Sequence, residues 1–167
     1  MNSSPTTLRA ATEYDLPAIL GIYNDVILTT TAVYSEEPHT LEMRQTWFNE
    51  RREGGFPVIV AEQDGKITGF ATYGKFRVWP CYRFTVEHSV YVHKDWRGQG
   101  ISSILLQEII DHARSAGMHA LIAGIDSGND ISLQLHLKFN FIQVARFKEV
   151  GFKFNRWLDL IFLELLL

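Results

Sequence analysis

The chain has 167 residues, room for one domain with one sizeable core. Apolar residues at 46% and charged residues at 21% exclude the composition of a disordered chain. Sixteen basic residues against nineteen acidic give a net charge of −3, which lacks the positive field of a nucleic-acid binder.

A single cysteine, Cys81, makes no intrachain disulfide and offers no CxxC pair, so a reducing, cytoplasmic setting is expected. Met1 to Thr7 has neither the basic residue nor the apolar run of a secretory leader. The most apolar stretch, Trp157 to Leu167, contains Asp159 and Glu164 and is far shorter than the roughly 20 residues of a membrane span. No membrane partner is expected.

In chain order, Leu8 to Ala11 reads as a first strand. Thr12 with Asp15 three residues on resembles a capping box, and Pro17 fits the first turn of a helix through about Asp25. Thr29 to His39 reads as a loop, and Thr40 caps a second helix to about Arg52. Val58 to Glu62 and Ile67 to Phe76 are strands joined at Asp64-Gly65, a hairpin signal. Thr85 to Val92 is a further strand, entered from the loop Arg77 to Arg83. Ile101, Ile104, Leu105, Ile109, Ala113 and Ala116 step as one helix face, and Gly117 stops that helix. Leu121 to Ile125 then reads as a buried parallel strand. From Ile131 to Asn140 apolar and polar residues alternate as in a strand, while a helix putting Ser132, Leu135, His136 and Phe139 on one face fits equally. Ile142 to Val150 and Trp157 to Leu166 close the chain as two strands around a turn at Gly151 to Asn155.

The turn His93 to Gly100 lies between a strand and a helix, where free backbone amides and the helix dipole meet an anion. It suits a pyrophosphate. It is no P-loop, because no Gly-Lys-Ser/Thr follows, and it lacks the third glycine of a dinucleotide fingerprint. The strand Val86 to Val92 followed by Arg97-Gly98-Gln99-Gly100-Ile101-Ser102 resembles the Q/R-x-x-G-x-G/A signature of the GNAT superfamily of acetyl-CoA-dependent N-acetyltransferases. Ser102 stands where that signature has Gly or Ala. Ile125-Asp126-Ser127-Gly128-Asn129, with Ser132, His136 and Phe141, resembles the superfamily's Asn-containing helix, and Asn140-Phe141 replaces its usual Gly-Phe. Glu37-Pro38, Trp47, Thr85-Val86-Glu87, Leu135-His136, Val150-Gly151-Phe152-Lys153 and Trp157-Leu158-Asp159 extend the likeness over nearly the whole chain. They narrow it to the phosphinothricin and methionine sulfoximine N-acetyltransferases.

The resemblance implies a mixed α/β fold in a single domain, residues 1–167. Its twisted sheet is mostly antiparallel, splayed between two parallel strands, with helices on both faces. Acetyl-CoA is the implied cosubstrate: pantetheine in the splay beside Ser89 and Val90, pyrophosphate on Arg97, Gly98, Gln99, Gly100, Ile101 and Ser102, and Asn129 against the cofactor arm. It also makes 129–140 a helix. Lys75, Phe76, Arg77, Thr85, Val86 and Glu87 match the family's substrate-contact segments, and a homodimer is implied.

Acyl transfer requires a neutral amine. An ammonium with a pKa near 8 is only about one-tenth neutral at pH 7, a deficit of roughly 1.4 kcal/mol. The family places its general base at Glu87, and His136 falls where many superfamily members carry a proton-donating tyrosine. The sequence leaves acid and base unassigned within this pair. Arg77 is a candidate clamp for a substrate carboxylate and Arg83 an alternative, with Tyr34, Phe76, Trp79 and Tyr82 as candidate pocket walls. Direct transfer needs no covalent relay through Cys81. His39, His88, His93, His112 and His119 show no metal-ligand spacing, so no metal is expected. The expected function is N-acetylation of a small amino-acid-like compound. The rivals are a peptide or protein N-acetyltransferase and a regulatory acyl-CoA-binding domain.

Overall fold

A computed structural model describes residues 5–167; the reading of Met1–Ser4 as part of a leaderless amino terminus lies outside them. Strand β1 (Thr7–Ala10) leads into a 3-10 turn (Glu13–Asp15), where the Asp15 carboxylate accepts hydrogen bonds from Thr12 N and Oγ at 2.7 and 3.1 Å. Helix α1 (Leu16–Thr29) follows, and it outruns the expected end at Asp25 because Val26 and Ile27 continue its buried face. Helix α2 (Leu41–Glu53) is capped by Thr40, whose Oγ accepts from Met43 N. Strands β2 (Val58–Gln63) and β3 (Lys66–Lys75) turn at Asp64 and Gly65, both at positive φ as a tight hairpin requires.

Strand β4 (Thr85–Val92), helix α3 (Ile101–Ser115) and strand β5 (Ala120–Asp126) form the expected strand–turn–helix–strand unit. On α3 the core takes Leu106 and Ile110, whereas Ile104 is 39% exposed. The buried face is wider than the stripe read from the sequence and turned away from Ile104. The alternating segment is helix α4 (Asp130–Lys138), as the family resemblance implied. Ile131 and Leu137 stay exposed and His136 is the buried residue, so the period-two pattern does not report burial. Asn140 adopts φ 65° and delivers Phe141 into the core. The chain ends in β6 (Ile142–Lys153) and β7 (Arg156–Leu166). Their turn is confined to Phe154 and Asn155, both at positive φ; the expected turn over 151–155 instead begins with ladder residues.

Among the described residues, seven strands make one sheet in the order β1-β2-β3-β4-β5-β7-β6, antiparallel except for β4 and β5. One core packs α3 on the sheet through Leu105, Leu106, Ile109, Leu121 and Phe141. A second packs α1 and α2 on its other face through Ile19, Ile22, Phe48 and Phe70. The parallel pair is short: Thr85, Val86 and Glu87 match Ala120, Leu121 and Ile122, and pairing then stops. On their outer sides β4 stays paired with β3 to Val92, and β5 with β7 to Asp126. The sheet is therefore open between Ser89–Val92 and Ala123–Asp126.

Candidate active site

The opening widens into a cleft of about 660 Å³ between β4, β5, the amino end of α3 and one face of α4. Of the expected cofactor residues, Ser89, Val90, Arg97, Gly98, Ile101, Ser102 and Asn129 line it, while Gln99 and Gly100 belong to the turn but not to the wall. A larger hollow, about 780 Å³, lies beside β1 and α1. It contains the Arg9–Asp15 and Arg9–Glu62 ion pairs and none of the expected site residues.

The turn before α3 has Gly98 at φ 77° and Gly100 at φ 82°, a conformation L side chains rarely adopt. A Cβ at either position would meet no atom within 4 Å, so open space faces the backbone there. Ser103 N is the first amide to bond back to Gly100 O, which leaves the preceding amides for a ligand. Arg97 reaches Val92 O through Nε and pairs with Asp25 through Nη2 at 3.1 Å. Asn129 caps α4, its Oδ1 accepting from Ser132 N at 3.2 Å.

Glu87 stands at the last paired rung. Strand alternation turns Val86 and His88 to the α3 and α4 side; Val86 is 1% exposed and its backbone is paired with β3 on one side and β5 on the other, so the structure leaves it out of the open acceptor side. Glu87 points to the other face and makes no hydrogen bond among the described residues. A Cβ on Gly124 would lie 3.0 Å from Glu87 Oε1, so glycine on β5 leaves the carboxylate its space. Burial raises the Glu87 pKa, and the Arg77 guanidinium partly opposes that. An unbonded carboxylate with a raised pKa is chemically a base awaiting a proton donor.

Around it, Arg77 lies 4.1 Å over the Phe76 ring and donates to Phe76 O, and Phe76 packs edge-on against Tyr82 and Phe162. Lys75 is exposed at the end of β3 and Thr85 half-buried at the start of β4. Arg83 stacks on Phe84, and Trp79 is largely exposed. Tyr34 is a strut: its hydroxyl lies 3.0 Å from both Asp126 Oδ2 and Asp159 O, with its ring over Gly151.

His136 is brought to the cleft but both its ring nitrogens are engaged. Nδ1 is 2.7 Å from Ser132 O and Nε2 is 3.0 Å from His88 Nε2, while His88 Nδ1 is 2.9 Å from Ile122 O. Sequence reasoning missed His88. The available signal was its place on the inward face of β4, between Val86 and Val90. It also missed Lys153, a buried ammonium that donates to Ile27 O, Thr30 O and Val33 O at 2.6 to 2.7 Å and holds the end of α1 to β6.

The acetyltransferase (GNAT) family model matches residues 19–141, which span both the glycine turn and α4. The chain belongs to the GNAT family. This GNAT chain is 46% identical over 160 residues to an L-methionine sulfoximine/L-methionine sulfone acetyltransferase of Pseudomonas paraeruginosa, covering 95% of this chain and 93% of that one. It superposes on an N-acetyltransferase from Staphylococcus aureus Mu50 with a TM-score of 0.96 at 48% identity, over 98% of this chain and 99% of the other. A phosphinothricin acetyltransferase from Sinorhizobium meliloti, solved in complex with AcCoA, superposes with a TM-score of 0.95 at 34% identity, over 98% and 89%. GNAT acetyltransferases use acetyl-CoA, and the residues here fit it: the glycine turn presents bare amides to open space, and the splay supplies an unpaired strand edge.

Proposed function

We propose that this chain is a single-domain, acetyl-CoA-dependent N-acetyltransferase acting on the amine of a small amino-acid-like compound of the methionine sulfoximine or phosphinothricin type. The observation that carries the reading is the unbonded Glu87 carboxylate at the point where β4 and β5 part. The names of the relatives support the substrate class.

When bound, acetyl-CoA supplies an acetyl group activated as a thioester. Arg97, Gly98, Gln99, Gly100, Ile101 and Ser102 hold its pyrophosphate by backbone amides and the α3 dipole, and Ser89, Val90 and Asn129 orient the arm. Glu87 takes a proton from the substrate ammonium, directly or through water, freeing the lone pair that attacks. Arg77 pairs with the substrate carboxylate, and Lys75, Phe76 and Thr85 complete the acceptor side. His136 handles the proton at the departing sulfur. The exposed Ile142, Val144, Phe147, Val150 and Phe152 of the β6 edge support a homodimer, and the free Cys81 supports a reducing cytoplasm.

The test is release of free CoA across a panel of amino acids, their amides and short peptides. Turnover of methionine sulfoximine or phosphinothricin above the peptides is expected. Turnover of peptides alone, or of nothing, would reject the reading.

A further inference from the structure

The contact between His88 and His136 determines where the protons of both rings lie. Each Nδ1 faces a backbone carbonyl oxygen, Ile122 O at 2.9 Å for His88 and Ser132 O at 2.7 Å for His136. A carbonyl oxygen only accepts, so each Nδ1 carries a hydrogen. Two neutral rings in that tautomer present bare lone pairs at Nε2, yet these atoms are 3.0 Å apart. Ser132 Oγ, 3.5 Å from His136 Nδ1, is too far to replace the carbonyl as its partner. One proton between the two Nε2 atoms turns the repulsive contact into a charge-assisted hydrogen bond and leaves both carbonyls satisfied.

We propose that His88 and His136 share a single proton between their Nε2 atoms, making His88 the positioning residue for the proton that His136 delivers to the leaving thiolate. This rests on the reading of His136 as the proton carrier at the sulfur. Both rings border the cleft. Phe141 packs against both, with ring centroids 5.6 Å from His88 and 5.0 Å from His136. Among the described residues, the charged group acting on His88 is His136 itself; the rings' polar partners on β5 and α4 are Ile122 O, Ser132 O and, farther off, Ser132 Oγ, and Glu87 lies on the opposite side of β4 by strand alternation. Burial disfavours charge on both rings, the first proton included, and a charge on His136 disfavours one on His88, so the pair takes one proton at most, and only the Nε2–Nε2 hydrogen bond offsets the burial of that one. The first proton binds to two nitrogens at once.

During transfer the substrate nitrogen, its first proton already on Glu87, forms the C–N bond, and the thioester C–S bond breaks with its electron pair on sulfur. The shared proton lies on the line to His88, so His136 turns its Nε2 from His88 to the sulfur and gives up the proton there, yielding the free thiol. The second proton shed by the nitrogen passes to solvent, and the neutral pair regains one from solvent after product leaves.

Long-range 1H–15N correlation spectra of the full chain at neutral pH, without substrate, read the proposal directly. Both Nδ1 atoms should appear protonated, and the two Nε2 resonances should shift together and titrate as one group with one strongly deshielded proton. A bare Nδ1 on either ring, or two neutral rings at neutral pH, overturns it. His88→Gln keeps a donor for Ile122 O but cannot share a proton. It should lower kcat by about tenfold or more, leave the acetyl-CoA KM within about twofold, and move the alkaline limb of the kcat profile to lower pH. An unchanged kcat and limb also overturn the proposal. The spectra need no acceptor, so a shared proton in a chain that acetylates no amino acid would reject the proposed function alone. An active enzyme without the shared proton would reject the pair alone.

Discussion

Gly124 faces Glu87 across the rung where the parallel strands separate, and a methyl group there would lie 3.0 Å from Glu87 Oε1 and 3.3 Å from the Phe162 ring. Gly124→Ala should displace the carboxylate. We expect kcat to fall by about tenfold, the scale of a misplaced general base, with circular dichroism unchanged. Wild-type turnover by Gly124→Ala would show that the carboxylate needs no such space.

Because burial raises the Glu87 pKa, folding keeps this group protonated to higher pH than the unfolded chain does. Its favourable contribution is present below the unfolded carboxylate pKa and is lost as pH rises through the folded one. Glu87→Gln should therefore raise the Tm at pH 7 relative to wild type, by a few degrees at most. The gain should vanish near pH 4, while kcat at neutral pH collapses. Scanning calorimetry at the two pH values, beside a CoA-release assay, measures both.

Arg77 opposes that rise in the Glu87 pKa. Arg77→Ala should move the Glu87 carboxyl titration to higher pH, followed by carbon-13 NMR. It should also raise KM for a carboxylate-bearing acceptor more than for its amide. Equal losses on the two acceptors would remove Arg77 from the carboxylate.

Lys153 serves three carbonyls around the end of α1. Lys153→Met leaves those oxygens without their buried donor and should cost about 3 kcal/mol in denaturant unfolding. Hydrogen exchange should quicken over 27–34, where the chain leaves α1 for the segment carrying the Tyr34 strut.

Gly100→Val places a branched side chain at φ 82°. The strain should cost about 1–2 kcal/mol, and the side chain would occupy the space facing the turn. Calorimetric titration should show acetyl-CoA affinity falling sharply.

Elements built on local chemistry were legible in the sequence. Asp64-Gly65 turns where its φ preference requires, Thr40 caps α2, and Thr85–Val92 matches β4 end to end. The α4 segment was not, because its leucines alternate while burial there follows only His136 and, partly, its helical neighbours. The resemblance supplied that helix, along with the splay and the base role expected of Glu87. The His88–His136 contact joins residues 48 positions apart, and Lys153 meets carbonyls more than a hundred residues away. No local pattern encodes such pairs; they exist only once the sheet has brought β4 beside α4 and β6 beside α1.

The three-rung join between β4 and β5 makes the sheet two subsheets in mechanical terms, one of four strands and one of three. Across the seam, most of the backbone ladder is missing, and the side-chain tie from His88 to Ile122 O crosses just beyond the last rung. A ligand seated in that seam acts as a splice between the halves. With acetyl-CoA in the seat proposed above, folding stability becomes a function of cosubstrate concentration, by about 2.7 kcal/mol at a hundredfold excess over Kd.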